Sequence, residues 1–183
     1  MKSKILLLIL IFTIQSNLIE AQDFQKPTEG KAAVYFLRTS SLGAAINFKY
    51  FVDEEYLGKF AGKNYARFEL EPGKHLLWVK SENLDFMDAD LKADAIYLIH
   101  VKPKMGGLKA AVRIEVVDVN DTKLFEKVKK LLLKKKQVKM NMKKAEKVTP
   151  KIKEYLEKYE ERKSNDGENK IKVLSADMNY EAK

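Results

Sequence analysis

Between residues 31 and 118 the hydrophobic positions fall into short β-prone runs, many alternating with polar ones, with turn-forming residues between them. Residues 32–38 (Ala-Ala-Val-Tyr-Phe-Leu-Arg) are the first run, and the Ser- and Gly-bearing stretch 39–45 reads as a loop. Residues 46–52 alternate, Asp53-Glu54-Glu55 turns the chain and residues 56–60 return, which predicts a hairpin. After a turn at Gly62-Lys63-Asn64, residues 65–70 set Tyr65, Arg67 and Glu69 against Ala66, Phe68 and Leu70. Glu71-Pro72-Gly73 is a tight turn, since Pro presets φ at one central position and Gly supplies a positive φ at the next. Residues 75–80 follow as a strand and residues 83–91 as a weaker, acidic one. Residues 95–101 make a strong strand, 103–107 a loop and 110–117 the last strand. Seven or eight short strands at this spacing predict a mainly β fold, an antiparallel β-sandwich with one side of each strand in the core and the other in water.

Beyond Asp118 the period becomes helical. Asn120 or Asp121 can cap a helix by accepting an orphan backbone N–H. Leu124, Val128, Leu131, Leu132, Val138 and Met142 then form an apolar stripe, interrupted by Lys135. Thr149-Pro150 opens a second helix, because Pro suits the first helical position. Its apolar face is Ile152, Tyr155, Leu156 and Tyr159, and Asn165-Asp166-Gly167 ends it. Residues 170–183 hold a small apolar patch (Ile171, Val173, Leu174) and are either disordered or add a strand. The expected organisation is a linker over 22–31, a sandwich over 32–118, a basic C-terminal α-helical extension of two helices over 119–163 and a flexible tail over 164–183.

Charge sharpens this division. Residues 123–147 hold 11 lysines and 2 glutamates, a local charge of +9, which equals the formal net charge of the whole chain. Residues 22–118 carry 14 basic and 14 acidic side chains and are neutral. A neutral domain with a cationic arm is the pattern of an element that faces an anion. Lys127, Lys130 and Lys134 flank the stripe on one side, and Lys129, Lys136 and Lys143 on the other. The candidate residues for binding an anionic surface are Lys127, Lys130, Lys134, Lys135, Lys136, Lys139 and Lys143. Each lysine contributes about 1 kcal/mol near an anionic bilayer. Docking of the stripe on the sandwich or on the second helix is the competing and preferred reading, and it leaves the polar face free. Nucleic acid is not an expected partner, because Arg162 is the lone arginine of the extension and Arg is preferred for bidentate phosphate contacts.

The amino terminus carries an address. Lys2 and Lys4, the apolar run 5–14 and Ala21 before Gln22 describe a secretory signal peptide over residues 1–21, cleaved after Ala21. The run is shorter than the roughly 20 apolar residues a membrane span needs. The chain has no cysteine, which excludes disulfides, thiolate metal sites and a lipid anchor on a cysteine. The mature protein is expected in a bacterial periplasm or outside the cell, and not as a lipoprotein.

Three stretches carry a resemblance: Ala33-Val34-Tyr35-Phe36-Leu37-Arg38, Phe51-Val52-Asp53-Glu54-Glu55-Tyr56-Leu57-Gly58-Lys59, and Phe68-Glu69-Leu70-Glu71-Pro72-Gly73-Lys74-His75. With Ala95-Ile96-Tyr97-Leu98 they make residues 32–117 resemble the domain of unknown function 2846, a family of bacterial exported sandwich domains. The resemblance implies an immunoglobulin-like or prealbumin-like sandwich and an envelope setting. It supplies no catalytic residues. Glu54-Glu55 stands where that family has a turn Gly, and Asp94 where a Gly is common before the Tyr strand.

Candidate chemistry is sparse. His75 and His100 are the two histidines, with no set of three or four metal ligands visible around them. Asp85, Asp88, Asp90 and Asp94 lack the Gly of a calcium loop and read as a solvated strand edge. No Gly-x-Ser-x-Gly elbow occurs, and Met105-Gly106-Gly107-Leu108 lacks the strand–loop–helix context of a phosphate loop. Trp78, Tyr65 and Tyr97 read as packing groups. No catalytic residue, metal or cofactor is expected. The reading is a non-enzymatic exported module for binding or assembly in the bacterial cell envelope. Its alternative is a peripheral protein whose Lys-rich helix binds anionic lipid or polysaccharide.

Overall fold

A computed structural model describes residues 24–105, 110–164 and 171–180. The expected signal peptide, the helix stop at Asn165-Asp166-Gly167 and the two glycines of the Met105–Leu108 loop lie outside the described residues. The strands are β1 (Ala32–Arg38), β2 (Phe48–Val52), β3 (Glu55–Phe60), β4 (Asn64–Leu70), β5 (Gly73–Lys80), β6 (Leu84–Leu91), β7 (Ile96–Met105), β8 (Ala110–Val116) and β9 (Lys172–Leu174). One sheet has the order β4-β1-β7-β8 and the other β3-β2-β5-β6-β9. The fold is a mainly β sandwich with a C-terminal helical extension.

Most neighbours are antiparallel, but β1 runs parallel to β7 and β9 parallel to β6. The first two strands lie in different sheets, whereas immunoglobulin constant domains place their first two in one. Pro103, expected to open a loop, lies inside β7 opposite Val112. The β1 register ends at His100, so Pro103 has a strand on one side only, where its missing N–H is tolerated.

The inner core joins Val34 and Phe36 of β1 to Phe48, Tyr50, Leu77, Val79, Met87, Tyr97, Ile99 and Ile114. The outer faces do not meet water at the central strands as expected. All seven residues of β1 are buried. Ala33, Tyr35 and Leu37 point away from the inner core into a second cluster, and Phe51, Trp78 and Phe86 into a third. Helices close both clusters. Helix α1 (Thr122–Lys134) covers the first outer face, and α3 (Ile152–Ser164) covers the second after the short α2 (Ala145–Val148) and a 3-10 turn over Thr149–Lys151.

A connector, residues 135–144, carries the chain from one outer face to the other past the β4 and β3 edges. Val138 N–H donates to Tyr65 O at 3.0 Å, and Asn141 exchanges two backbone hydrogen bonds with Lys59 at 3.1 Å each. The tail adds β9, after which Ala176 O accepts from Tyr97 Oη at 3.1 Å and Tyr180 N–H donates to Ile96 O at 2.6 Å. Near the opposite edge Asn83 Nδ2 donates to Val112 O at 2.9 Å, and Asp85 Oδ2 accepts from Ile114 N at 2.6 Å.

Candidate functional site: the lysine face of helix α1 and its connector

Helix α1 begins where Asp121 accepts from Leu124 N–H at 3.0 Å, satisfying one orphan donor of its first turn. Its stripe closes on the sandwich. Val128, Leu131 and Leu132 are buried among Ala33, Tyr35, Leu37, Tyr65, Ile96, Leu98 and Val117. Full burial of each such side chain stabilises by about 1.5–3 kcal/mol. Phe125 adds an aromatic cluster with Phe24 and Tyr180, ring centroids 6.3 Å and 5.7 Å away.

The stripe does not continue to Val138 and Met142 as a helix. Helix α1 ends at Lys134, and Lys135 has extended backbone, φ −130° and ψ 144°. The inward positions Val128, Leu131 and Leu132 recur next at residue 135, so another turn would press a lysine head against the apolar cluster. The chain instead becomes extended and uses carbonyls at the β4 and β3 edges. There Val138 and Met140 pack half-buried against the inner core, while Lys135, Lys139 and Lys143 are exposed. Lys136 and Lys143 are therefore not one flank of a helix with Lys129. Gly58 of β3 lets the connector approach: its φ is +116°, and a Cβ there would lie 2.9 Å from Met140 Cβ.

All seven candidate lysines are exposed: Lys127, Lys130 and Lys134 on α1, and Lys135, Lys136, Lys139 and Lys143 on the connector. Glu126, the one carboxylate inside α1, pairs with Lys129. No acidic residue occurs from 127 to 145.

The other chemistry-bearing groups hold the scaffold. His75 Nδ1 lies 2.7 Å from Asp53 Oδ2 and its Nε2 2.9 Å from Glu71 O. Asp53, at φ +49°, also accepts from Leu76 N–H at 2.7 Å. The Asp of the hairpin and the His of the Pro-Gly-Lys-His turn thus meet. Sequence reasoning missed this contact, although both residues stood in the quoted motifs. They border a cavity of about 500 Å³, which Asp88, Tyr159, Lys163 and Ser175 also line. Within it Tyr159 Oη donates to Asp88 at 2.7 Å and accepts from Lys163 at 2.9 Å.

Arg38 is fully buried yet meets no carboxylate in the hydrogen bonds of its head group. It donates to Ile46 O, Leu42 O and Gly43 O at 2.9, 3.0 and 2.7 Å and lies over the Phe48 ring at 4.1 Å. Burial lowers its affinity for the proton, and the three carbonyls fold the 39–47 loop around it. His100 is remote from His75, in the other sheet. Thr39 Oγ1 lies 2.9 Å from its Nε2, and its buried Nδ1 has no partner among the described residues. Burial, aided by Lys102, brings its pKa down to about 4.

Of the four aspartates read as a solvated strand edge, Asp90 and Asp94 are exposed, whereas Asp85 and Asp88 are half-buried and β6 is paired with β9. Asp85 is tied to Ile114 N and to Lys172 Nζ at 2.5 Å, Asp88 to Tyr159, and Asp94 to Gly30 N at 2.8 Å. Among the described residues no group of three or more His, Asp or Glu is placed to hold a metal ion. No helix among them is long and apolar enough to cross a membrane.

These features define a β-sandwich with a helix on each outer face and one exposed lysine strip. Residues 28–116 match the family described as a protein of unknown function, DUF2846, and this segment of the chain belongs to that family. The match ends at the last strand of the sandwich proper, before α1 and the connector. No curated protein matches the chain.

Proposed function

We propose that the protein is a non-enzymatic exported module that binds or assembles at the bacterial cell envelope, and that its cationic strip makes the contact. The observation that carries this reading is the division of labour in α1. Val128, Leu131 and Leu132 are buried against the sandwich while the lysines of α1 and the connector face solvent. The polar face is thereby held in place on a rigid support and remains free to meet an anion. His75, Asp53, Arg38 and Thr39–His100 support the reading differently, since each is engaged in contacts that brace loops and turns.

The test is co-sedimentation of the intact protein with a bacterial envelope fraction. Binding at low salt that decays as salt rises is expected. It should be lost in Lys127→Gln/Lys130→Gln/Lys134→Gln/Lys135→Gln/Lys136→Gln. Failure of the parent protein to sediment at low salt would overturn the proposal. Export is checked by expressing the full chain in a bacterium and weighing the product. A periplasmic or secreted protein beginning at Gln22 is expected; an intact chain retained in the cytoplasm refutes export.

A further inference from the structure

We infer that α1 and the connector form a track for a linear anionic polysaccharide, held by Lys127, Lys130 and Lys134 on the helix and Lys135, Lys139 and Lys143 on the connector. This inference rests on the proposed surface-binding role and names the partner. The lysines succeed one another along the chain as it passes from the helix into the connector. On α1 they fall seven residues from first to last, about 10 Å along the axis. On the connector every fourth residue is a lysine, and Lys135 to Lys143 spans at most about 28 Å of extended chain. Val138 and Met140 turn inward between them. No carboxylate interrupts residues 127–145.

The shape of the strip selects among polyanions. It starts on one outer face of the sandwich and continues past the β4 and β3 edges toward the other, so its lysines do not share a plane. A flexible polymer can follow such a bend, whereas a flat bilayer meets one part of it. A helix that lies in a membrane also needs a free apolar face, and that of α1 is buried. The large apolar residues left exposed along the strip are Leu133 at 49% and Met142 at 48%, one on the helix and one on the connector. Nucleic acid fits poorly for another reason. Bases are gripped by exposed aromatic rings and phosphates by Arg forks. Residues 123–147 contain no Arg, and their one aromatic, Phe125, packs on Phe24 and Tyr180.

The experiment is a titration of the intact protein with alginate fractions of graded length. Affinity should rise with chain length and fall steeply between about 50 and 200 mM salt. Lys135→Gln/Lys139→Gln/Lys143→Gln should weaken binding to the longest fraction by about tenfold or more at low salt. Lys127→Gln/Lys130→Gln/Lys134→Gln should do the same, and Lys151→Gln/Lys153→Gln near the start of α3 should not. An unchanged melting temperature in each variant shows that the fold is intact. Alginate binding that ignores the connector variant overturns the track. Phosphatidylglycerol–phosphatidylcholine vesicles bound as tightly as the longest alginate overturn the polysaccharide while leaving the surface-binding role. Duplex DNA bound more tightly than alginate overturns it in favour of nucleic acid. No binding to any of the three, together with no sedimentation on envelope, removes both proposals.

Discussion

Helices α1 and α3 do the same structural job with different chemistry. Each has 13 residues and each covers one outer face of the sandwich. Helix α1 covers with aliphatic side chains, Val128, Leu131 and Leu132. Helix α3 covers with Ile152, Tyr155 and Tyr159 over Trp78 and Phe86. Their solvent faces differ more. Helix α3 has four basic and four acidic residues, whereas α1 has five lysines and one glutamate. The groove beside α3 is even acidic, with Glu54, Glu157, Glu160 and Glu161 in its lining. Covering a sheet therefore does not require positive charge. The lysine excess of α1 and the connector adds self-repulsion, and this is the difference from α3 on which the proposed binding role rests.

The sharpest test of the shared packing role is truncation on both sides. Trp78→Ala should cost about 3–5 kcal/mol. It removes the ring stacked on Phe51 at 3.7 Å, its edge contact with Tyr155 at 6.0 Å and the 2.9 Å hydrogen bond to Asp53 O. Leu131→Ala on the α1 side should cost about 2–4 kcal/mol. Urea denaturation measures both, and a loss below about 1 kcal/mol at either site would break the idea that both helices are integral.

Acid should separate the two sides. His100 sits in the α1-bearing sheet, and its surroundings include Lys102, Glu115, Lys127 and Asp121. Its proton affinity in the fold, near pH 4, lies below the ordinary 6.5. Between those values the unfolded chain binds a proton that the folded one refuses. This part of the stability is complete above pH 6.5 and declines as pH falls through 4, by at most about 3 kcal/mol. His100→Gln should flatten that segment of the stability–pH curve; an unchanged slope would assign it to the carboxylates.

The connector offers a smaller effect. Gly58→Ala should cost about 1–3 kcal/mol, since it combines a positive φ with contact on Met140. Hydrogen exchange should show faster opening at Val138 and Asn141, whose amides bond to β4 and β3. The smallest change is expected from Lys127→Gln/Lys130→Gln/Lys134→Gln, within about 0.5 kcal/mol of the parent. A large loss there would mean that the lysines stabilise the fold, and would erase the contrast with α3.

The strands were legible because each run announced itself locally. Pro72-Gly73 and the Asp53-Glu54-Glu55 turn bound their strands where expected, and even the acidic 84–91 segment formed one. The connector was not legible. Val138, Met140 and Met142 satisfy a period of two, while Leu131, Leu132, Val138 and Met142 satisfy a helical one. Lys135 was the available clue, as a charged residue on the buried side of a helix. The Asp53–His75 contact lay 22 residues apart in sequence and needed the β2–β5 pairing to bring its halves together.

The sequence by itself determined the class of fold, the strands, the start of α1 and the confinement of net charge to residues 123–147, because periodicity, turn chemistry and capping act between near neighbours. Tertiary structure decided the strand order, the parallel β1–β7 pair, the burial of both outer faces and the path of the connector. These depend on which distant surface offers an apolar face or an unpaired carbonyl. They turned a basic amphipathic helix into a docked cover whose lysines continue around the sandwich edge.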